Sequence, residues 1–198
     1  MKTSDLVEIK ETFSAEMETF AQQLIRQRRL PEALQIQTIR IDHIAQDLRS
    51  GTRAINELNG ISSFLIWAHV WIKEFGRRSD AEVVSLKLMH ARQPMCPRFH
   101  IDNVPLRLLA TLSGPTTEWL KSGNVRQLQD GTICQEIRST DIQHMSPGSV
   151  GFFKGSYGQR KANSGVVHRS PQSNADRILL KIDIAPGPLN PRTKAKYA

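Results

Sequence analysis

At 198 residues the chain suits one domain, or one domain with an extension, and is long enough to bury a core without staples. Its 39% hydrophobic and 23% charged content is globular and excludes an intrinsically disordered chain. The formal charge of +8 is uneven: residues 1–80 carry 11 basic and 11 acidic side chains, and the remainder carries 16 and 8. The basic residues are scattered, with little aromatic interleaving, so a soluble basic surface is favoured and nucleic acid is only weakly supported as a partner.

The chain starts MKTSDLVEIKETFSAE, which has no apolar core of a secretory signal. The stretch 64–72 is the most apolar and falls far short of a membrane span. Cys96 and Cys134 form no CxxC, so neither a zinc ribbon nor a disulfide framework is implied, and a reducing cytoplasm is the expected compartment.

Residues 1–80 read as helical. Phe13, Met17, Phe20 and Leu24 recur at four, three and four residues and draw one apolar stripe, with Ser14 as its N-cap. Pro31 is expected to stop this helix and open the next. Ile36, Ile39, Ile44 and Leu48 suggest a second helix ending near Gly51. A third is expected over 63–75, capped by Ser62 or Ser63 and closed by Gly76, and the Arg77–Asp80 cluster marks a boundary.

From residue 81 the period changes to two. Val84, Leu86 and Leu88 alternate with polar residues, as do Leu106, Leu108, Ala110 and Leu112, and as do Ile178, Leu180, Ile182 and Ile184. Further strands are expected near 132–137, 149–154 and 164–168, separated by Gly- and Pro-containing turns. This pattern predicts a sandwich or jelly roll over 81–186, with a flexible basic tail over 187–198. In the last strand the aliphatic face needs cover, which the N-terminal helices can provide. The other face, with Arg177, would then line the interior.

The chemistry concentrates in His100-Ile101-Asp102 and His168. Residues i and i+2 of a strand share a face, so His100 and Asp102 can reach one metal ion, with His168 brought in by the fold. Two imidazoles and a carboxylate are the donor set of a facial triad for non-haem Fe(II). An isolated H-x-D is common by chance, and His144 is a rival ligand. His69 reads as core or interface. Arg177, nine residues after His168, suits a carboxylate because its planar fork makes two parallel hydrogen bonds. Lys154, Lys181 and Arg107 are alternative anion partners. Trp119 is either packing or a substrate-stacking surface, and 155–165 either a lid or a loop. The same donors could instead hold Zn²⁺.

The order of strand with HxD, several strands, then His, then Arg resembles the Fe(II)/2-oxoglutarate-dependent oxygenases. That resemblance implies a double-stranded β-helix, iron held by His100, Asp102 and His168, and 2-oxoglutarate held by Arg177. The motifs Cys96-Pro97-Arg98-Phe99-His100-Ile101-Asp102, Gly114-Pro115-Thr116-Thr117-Glu118-Trp119, Lys154-Gly155 and Val167-His168-Arg169-Ser170-Pro171 are also similar to a bacterial family of unknown function. The resulting expectation is an α+β chain, with N-terminal helices (1–80) packed on a cupin-like double-stranded β-helix (81–186). The expected activity is oxygenation of a small-molecule or unknown substrate, the alternative being a metal-binding protein without oxygenase activity. Oligomeric state is left open, since Phe64, Trp67 and Trp71 can face either the sheet or a partner chain.

Overall fold

The computed structural model describes residues 6–27, 30, 33–158 and 164–197. Nine strands and four α-helices follow in the order β1 (Val7–Ile9), α1 (Ala15–Arg26), β2 (Ala33–Arg40), α2 (Ile44–Gly51), α3 (Ile61–Ser79), β3 (Val83–Ala91), β4 (Leu106–Ser113), β5 (Glu118–Leu120), β6 (Ile142–His144), β7 (Val150–Lys154), β8 (His168–Arg169), β9 (Arg177–Ile184) and α4 (Pro191–Tyr197). A six-stranded sheet runs β1-β7-β4-β9-β3-β2, and a three-stranded sheet runs β6-β5-β8. All the strand pairings among the described residues are antiparallel. The fold is thus a mixed α and β arrangement with mostly antiparallel sheets. Among the described residues no helix is long and apolar enough to cross a membrane.

The period-two pattern of β9 explains the layering. Ile178, Leu180 and Ile182 join the large core formed with α1, α2 and α3, while Leu179 joins a second core with Met89, Leu109 and Phe153. β4 divides the same way, with Leu108, Ala110 and Leu112 toward the helices. One face of the large sheet is covered by helices, and the other turns toward the small sheet through Met145 and Trp119. Burying an aliphatic side chain contributes about 1.5–3 kcal/mol, so the face with no polar residue takes the helix layer. Phe20 of α1 stacks on Phe64 of α3 at a centroid distance of 4.7 Å within that layer.

The stripe through Met17, Phe20 and Leu24 forms α1 as expected, and the Ser14 side chain accepts a hydrogen bond from Met17 N at 3.3 Å. Pro31 lies outside the described residues. The second helix is a correction. Residues 33–40 are strand β2, paired with β3, and α2 begins only at Ile44. Ile36 pairs with Leu86 and Ile39 with Val84, so β2 carries one extra residue there. Such a bulge puts two residues three apart on one face and imitates a helical period.

The third helix is longer than expected. Its N-cap is Gly60 and its C-cap is Asp80, with φ of 82° and 54°. Gly76 therefore does not end it. A Cβ there would lie 2.7 Å from Ile41 Cδ1, so the glycine serves close packing.

Residues 132–137 are not a strand beyond a single bridge between Gln127 and Ile133. The Gln135 side-chain amide stands in for a ladder. Its Oε1 accepts from Phe99 N at 2.8 Å and its Nε2 donates to Phe99 O at 3.0 Å. At the far end, the tail expected to be flexible carries α4. Pro191 occupies its first turn, where a missing N–H costs nothing, and the Asn190 Oδ1 accepts from Thr193 N at 2.8 Å. Thr193 Oγ1 and Asn190 Nδ2 both donate to Asp80 O, at 2.7 and 3.0 Å. The boundary cluster is thus the docking point of the tail. Residues 1–80 also supply both edges of the large sheet, β1 and β2, so the helical and strand regions share one core.

Candidate metal centre

His100 and His168 face each other across two extended segments. His100 N donates to His168 O and His168 N to His100 O, both at 3.0 Å. A pair of this kind sends its two side chains to the same face, and the ring centroids are 4.6 Å apart. Asp102 follows two residues after His100 and joins that face. Suitable donor atoms of the three side chains all lie within 4.8 Å of one another.

The protonation pattern follows from the backbone. His100 Nδ1 is 2.9 Å from Arg98 O, and His168 Nδ1 is 3.0 Å from Val166 O. A carbonyl oxygen only accepts, so each Nδ1 carries a proton, and Nε2 is the ring nitrogen left to face the centre, where it offers a lone pair whenever it is unprotonated. Both Nε2 atoms point at the Asp102 carboxylate. His168 Nε2 is 3.2 Å from Asp102 Oδ2, and His100 Nε2 is 3.6 Å from Asp102 Oδ1. Asp102 Oδ2 is buried with no hydrogen-bond donor. Three converging acceptors call for a proton or a cation between them, and this donor set fits a divalent transition metal.

The electrostatics keep Asp102 ionised. Burial opposes its charge, but contacts with His100 and His168 and the charge of Arg107 outweigh it and hold its carboxyl far below the ordinary range. Contact with Asp102 in turn raises the His100 pKa against the effect of burial. Arg107 fixes the carboxylate from behind, with Nη1 at 2.6 Å from Asp102 Oδ1, and grips Asp183 through Nε at 2.7 Å and Nη2 at 2.9 Å. Its guanidinium is committed to these two partners.

Arg177 opens β9 at 4% exposure. Its Nη2 donates to Thr117 Oγ1 at 2.6 Å and Thr111 Oγ1 at 3.2 Å, and its Nε is buried without a partner. Among the described residues no carboxylate pairs with it, and burial pushes its pKa down to about 10, which leaves it charged at neutral pH. A cavity of about 150 Å³ is lined by His100, His168, Arg107, Thr117, Arg177 and Lys181, among others. Lys154 does not line it; alternation puts Lys154 on the Phe152 side of β7, toward the helices. His144 is exposed on β6 and stays apart from the three-donor cluster. Trp119 packs against the core between the sheets, and Glu118 accepts from Arg169 Nε at 2.6 Å. Thr117 and Asp183 are not marked by the sequence, because only the packing of the two sheets brings Thr117 to Arg177 and only strand register sets Asp183 against Arg107. The lid-or-loop segment 155–165 falls partly outside the described residues.

Gly155 positions the HxD segment. Its N donates to Pro105 O at 3.4 Å, and Ser156 N donates to Asp102 O at 2.9 Å. A Cβ at Gly155 would lie 1.9 Å from Val104 O and 2.6 Å from Asp102 O, so no side chain fits without moving that backbone. Gly155→Ala is expected to weaken divalent-metal binding by about 10- to 100-fold, as loss of a ligand's supporting structure does, measurable by metal titration.

Three solved structures share part of the chain path. The Arabidopsis thaliana dioxygenase for auxin oxidation 1, in complex with 2-oxoglutarate, aligns at 12% identity and TM-score 0.47 over 80% of this chain and 64% of that one. The rice dioxygenase for auxin oxidation aligns at 11% and 0.44 over 77% and 55%. The chain thus spans less than two thirds of the length of either. A Pseudomonas putida prolyl-4-hydroxylase aligns at 12% and 0.43 over 92% and 93%. No curated protein matches the chain in sequence. The model of the family described as protein of unknown function (DUF1826) matches residues 4–183, which take in both sheets but for the last residue of β9 and include His100, Asp102, His168 and Arg177, and the chain belongs to that family.

Proposed function

We propose that this protein is a non-haem Fe(II)- and 2-oxoglutarate-dependent oxygenase acting on a small molecule, working in the reducing cytoplasm. One observation carries the reading: three side chains, His100, Asp102 and His168, bring ligand atoms together beside a cavity in which Arg177 is buried, charged and, among the described residues, without a carboxylate partner. A metal ion fits the first, and a carboxylate the second. Strand order supports the accompanying fold, a double-stranded β-helix. Counting eight segments from β3, with the His100 segment as the second, the large sheet holds the first, eighth, third and sixth, and the small sheet the second, seventh, fourth and fifth.

His100 Nε2, the Asp102 carboxylate and His168 Nε2 would hold the metal and leave positions open for other ligands. Ferrous iron with its oxo-acid co-substrate supplies oxygen activation when bound. The chain's own part is orientation. The Nδ1–carbonyl bonds fix both imidazole tautomers, and Arg107 fixes the carboxylate. Thr111 and Thr117 hold the Arg177 fork in place for a carboxylate. Met89, Leu109 and Leu179 make the cavity floor apolar and limit water.

The test is anaerobic. The stripped protein is loaded with Fe(II) and titrated with 2-oxoglutarate, and the weak visible charge-transfer band of the chelate is followed. A saturable band absent from His100→Ala is the expected result. Absence of a band, with Zn²⁺ retained tightly through stripping, would replace this reading with a zinc-binding protein of the same fold.

A further inference from the structure

The positive charge of the cavity is not all gathered at Arg177, where the proposed co-substrate would sit. Five cations line it, namely Lys87, Arg107, Arg169, Arg177 and Lys181. The carboxylates that contact them are three: Asp102, Asp183 and Glu118. Arg107 is spent on Asp102 and Asp183, and Arg169 on Glu118. Lys181 reaches only Asp183, at 3.3 Å, an oxygen pair that Arg107 already grips with two nitrogens. Lys87 has no partner among the described residues.

The register makes this excess local. Lys87 and Lys181 are direct partners in the β3–β9 ladder, and Lys181 also pairs with Leu109 of β4. Like charges directly opposite on one face of an antiparallel pair destabilise it. Arg177 is paired with Ala91, four residues away along β9, which is about 13 Å of strand. An anion on Arg177 therefore does not neutralise the lysine pair.

We infer that Lys87 and Lys181 form a second anion subsite, which binds a phosphate or carboxylate group of the molecule to be oxidised. Assigning that anion to the oxidised substrate rests on the oxygenase reading; the anion subsite itself does not. The site tolerates a repulsive lysine pair because a bound anion bridges the two ammonium groups.

Calorimetric titration of the full chain tests this without metal, using inorganic phosphate and acetate as probes in an Arg177→Met background that removes the other anion site. One-to-one binding of at least one probe is expected, weakening about tenfold or more when Lys87→Met is added, as loss of a charge-assisted hydrogen bond requires. Phosphate binding alone would assign a phosphate-bearing substrate, and binding of both a carboxylate-compatible one. Lys87→Met by itself should melt no lower than wild type, since it relieves repulsion, and should leave the 2-oxoglutarate midpoint of the Fe(II) band unchanged. Equal probe binding with and without Lys87 overturns the subsite, as does binding of neither probe. A 2-oxoglutarate midpoint weakened by Lys87→Met as much as by Arg177→Met also overturns it, because the lysines would then serve the co-substrate. Lys87-dependent probe binding in a protein that shows no Fe(II) band keeps the subsite and removes the oxygenase reading.

Discussion

Asp102→Asn is expected to lose Fe(II) affinity by at least about a hundredfold, roughly 2.7 kcal/mol, and the metal-free protein is expected to melt at a lower temperature than wild type. The ionised carboxylate is the form the fold favours, since contacts with His100 and His168 and the charge of Arg107 hold its pKa far below the ordinary range, and a neutral amide gives up that stabilisation. Arg107 Nη1, 2.6 Å from Oδ1, loses a charged partner at the same time. The same change removes the anionic ligand that a facial triad needs. Metal titration and a thermal melt of the same preparation check both halves. A variant that binds Fe(II) as wild type does would remove Asp102 from the ligand set.

The proton competes with the metal for this centre. Contact with Asp102 raises the His100 pKa, so Fe(II) affinity should decline as pH falls below that raised value and level off above it. Stability of the metal-free protein runs the other way. The raised His100 pKa contributes stability that is present below the ordinary histidine value and is lost as pH rises through the raised one. The depressed Asp102 pKa contributes stability present above the ordinary carboxylate range and lost as pH falls toward the depressed value. Metal-free protein should therefore be most stable in mild acid, and metal should stabilise it most on the alkaline side. Melting curves with and without metal across pH read this directly.

Arg177→Met is the second large effect, and here stability and binding move in opposite directions. The guanidinium is buried, its Nε has no partner, and no carboxylate among the described residues offsets its charge. A thioether of similar length removes that penalty and joins Met89 and Leu179 on the cavity floor, for a gain of about 1–3 kcal/mol in the metal-free protein. Loss of a buried charge partner should weaken 2-oxoglutarate binding by about 2 kcal/mol or more, at least about thirtyfold. Arg177→Lys should recover little of the affinity, because a point charge cannot make the two parallel hydrogen bonds of the fork. A midpoint for 2-oxoglutarate that is unmoved in Arg177→Met would show that its anchor lies elsewhere.

Much of what places the candidate centre is legible in the sequence. The spacing of His100 and Asp102, the apolar run into His168, and the alternating faces of β4 and β9 are local properties, and a period of two assigns each side chain to a face wherever the strand lies. The stripe and cap of α1 are equally local. The misread segments are those where a tertiary contact imitates or replaces a local signal. The bulge in β2 gave strand residues a helical spacing, Gly76 served packing against Ile41 where a helix stop was expected, and Gln135 used its side chain where a backbone ladder was expected.

By itself, then, the sequence determined which residues can ligate a metal and which face of each long strand is apolar, because both depend only on residue type and near-neighbour spacing. Only the tertiary structure decided what those residues meet. Strand register sets Lys87 against Lys181, Arg107 against Asp183, and His100 against His168. Register is selected by the burial of whole faces across long stretches of chain, and one residue of slip would send every one of these side chains to the other side.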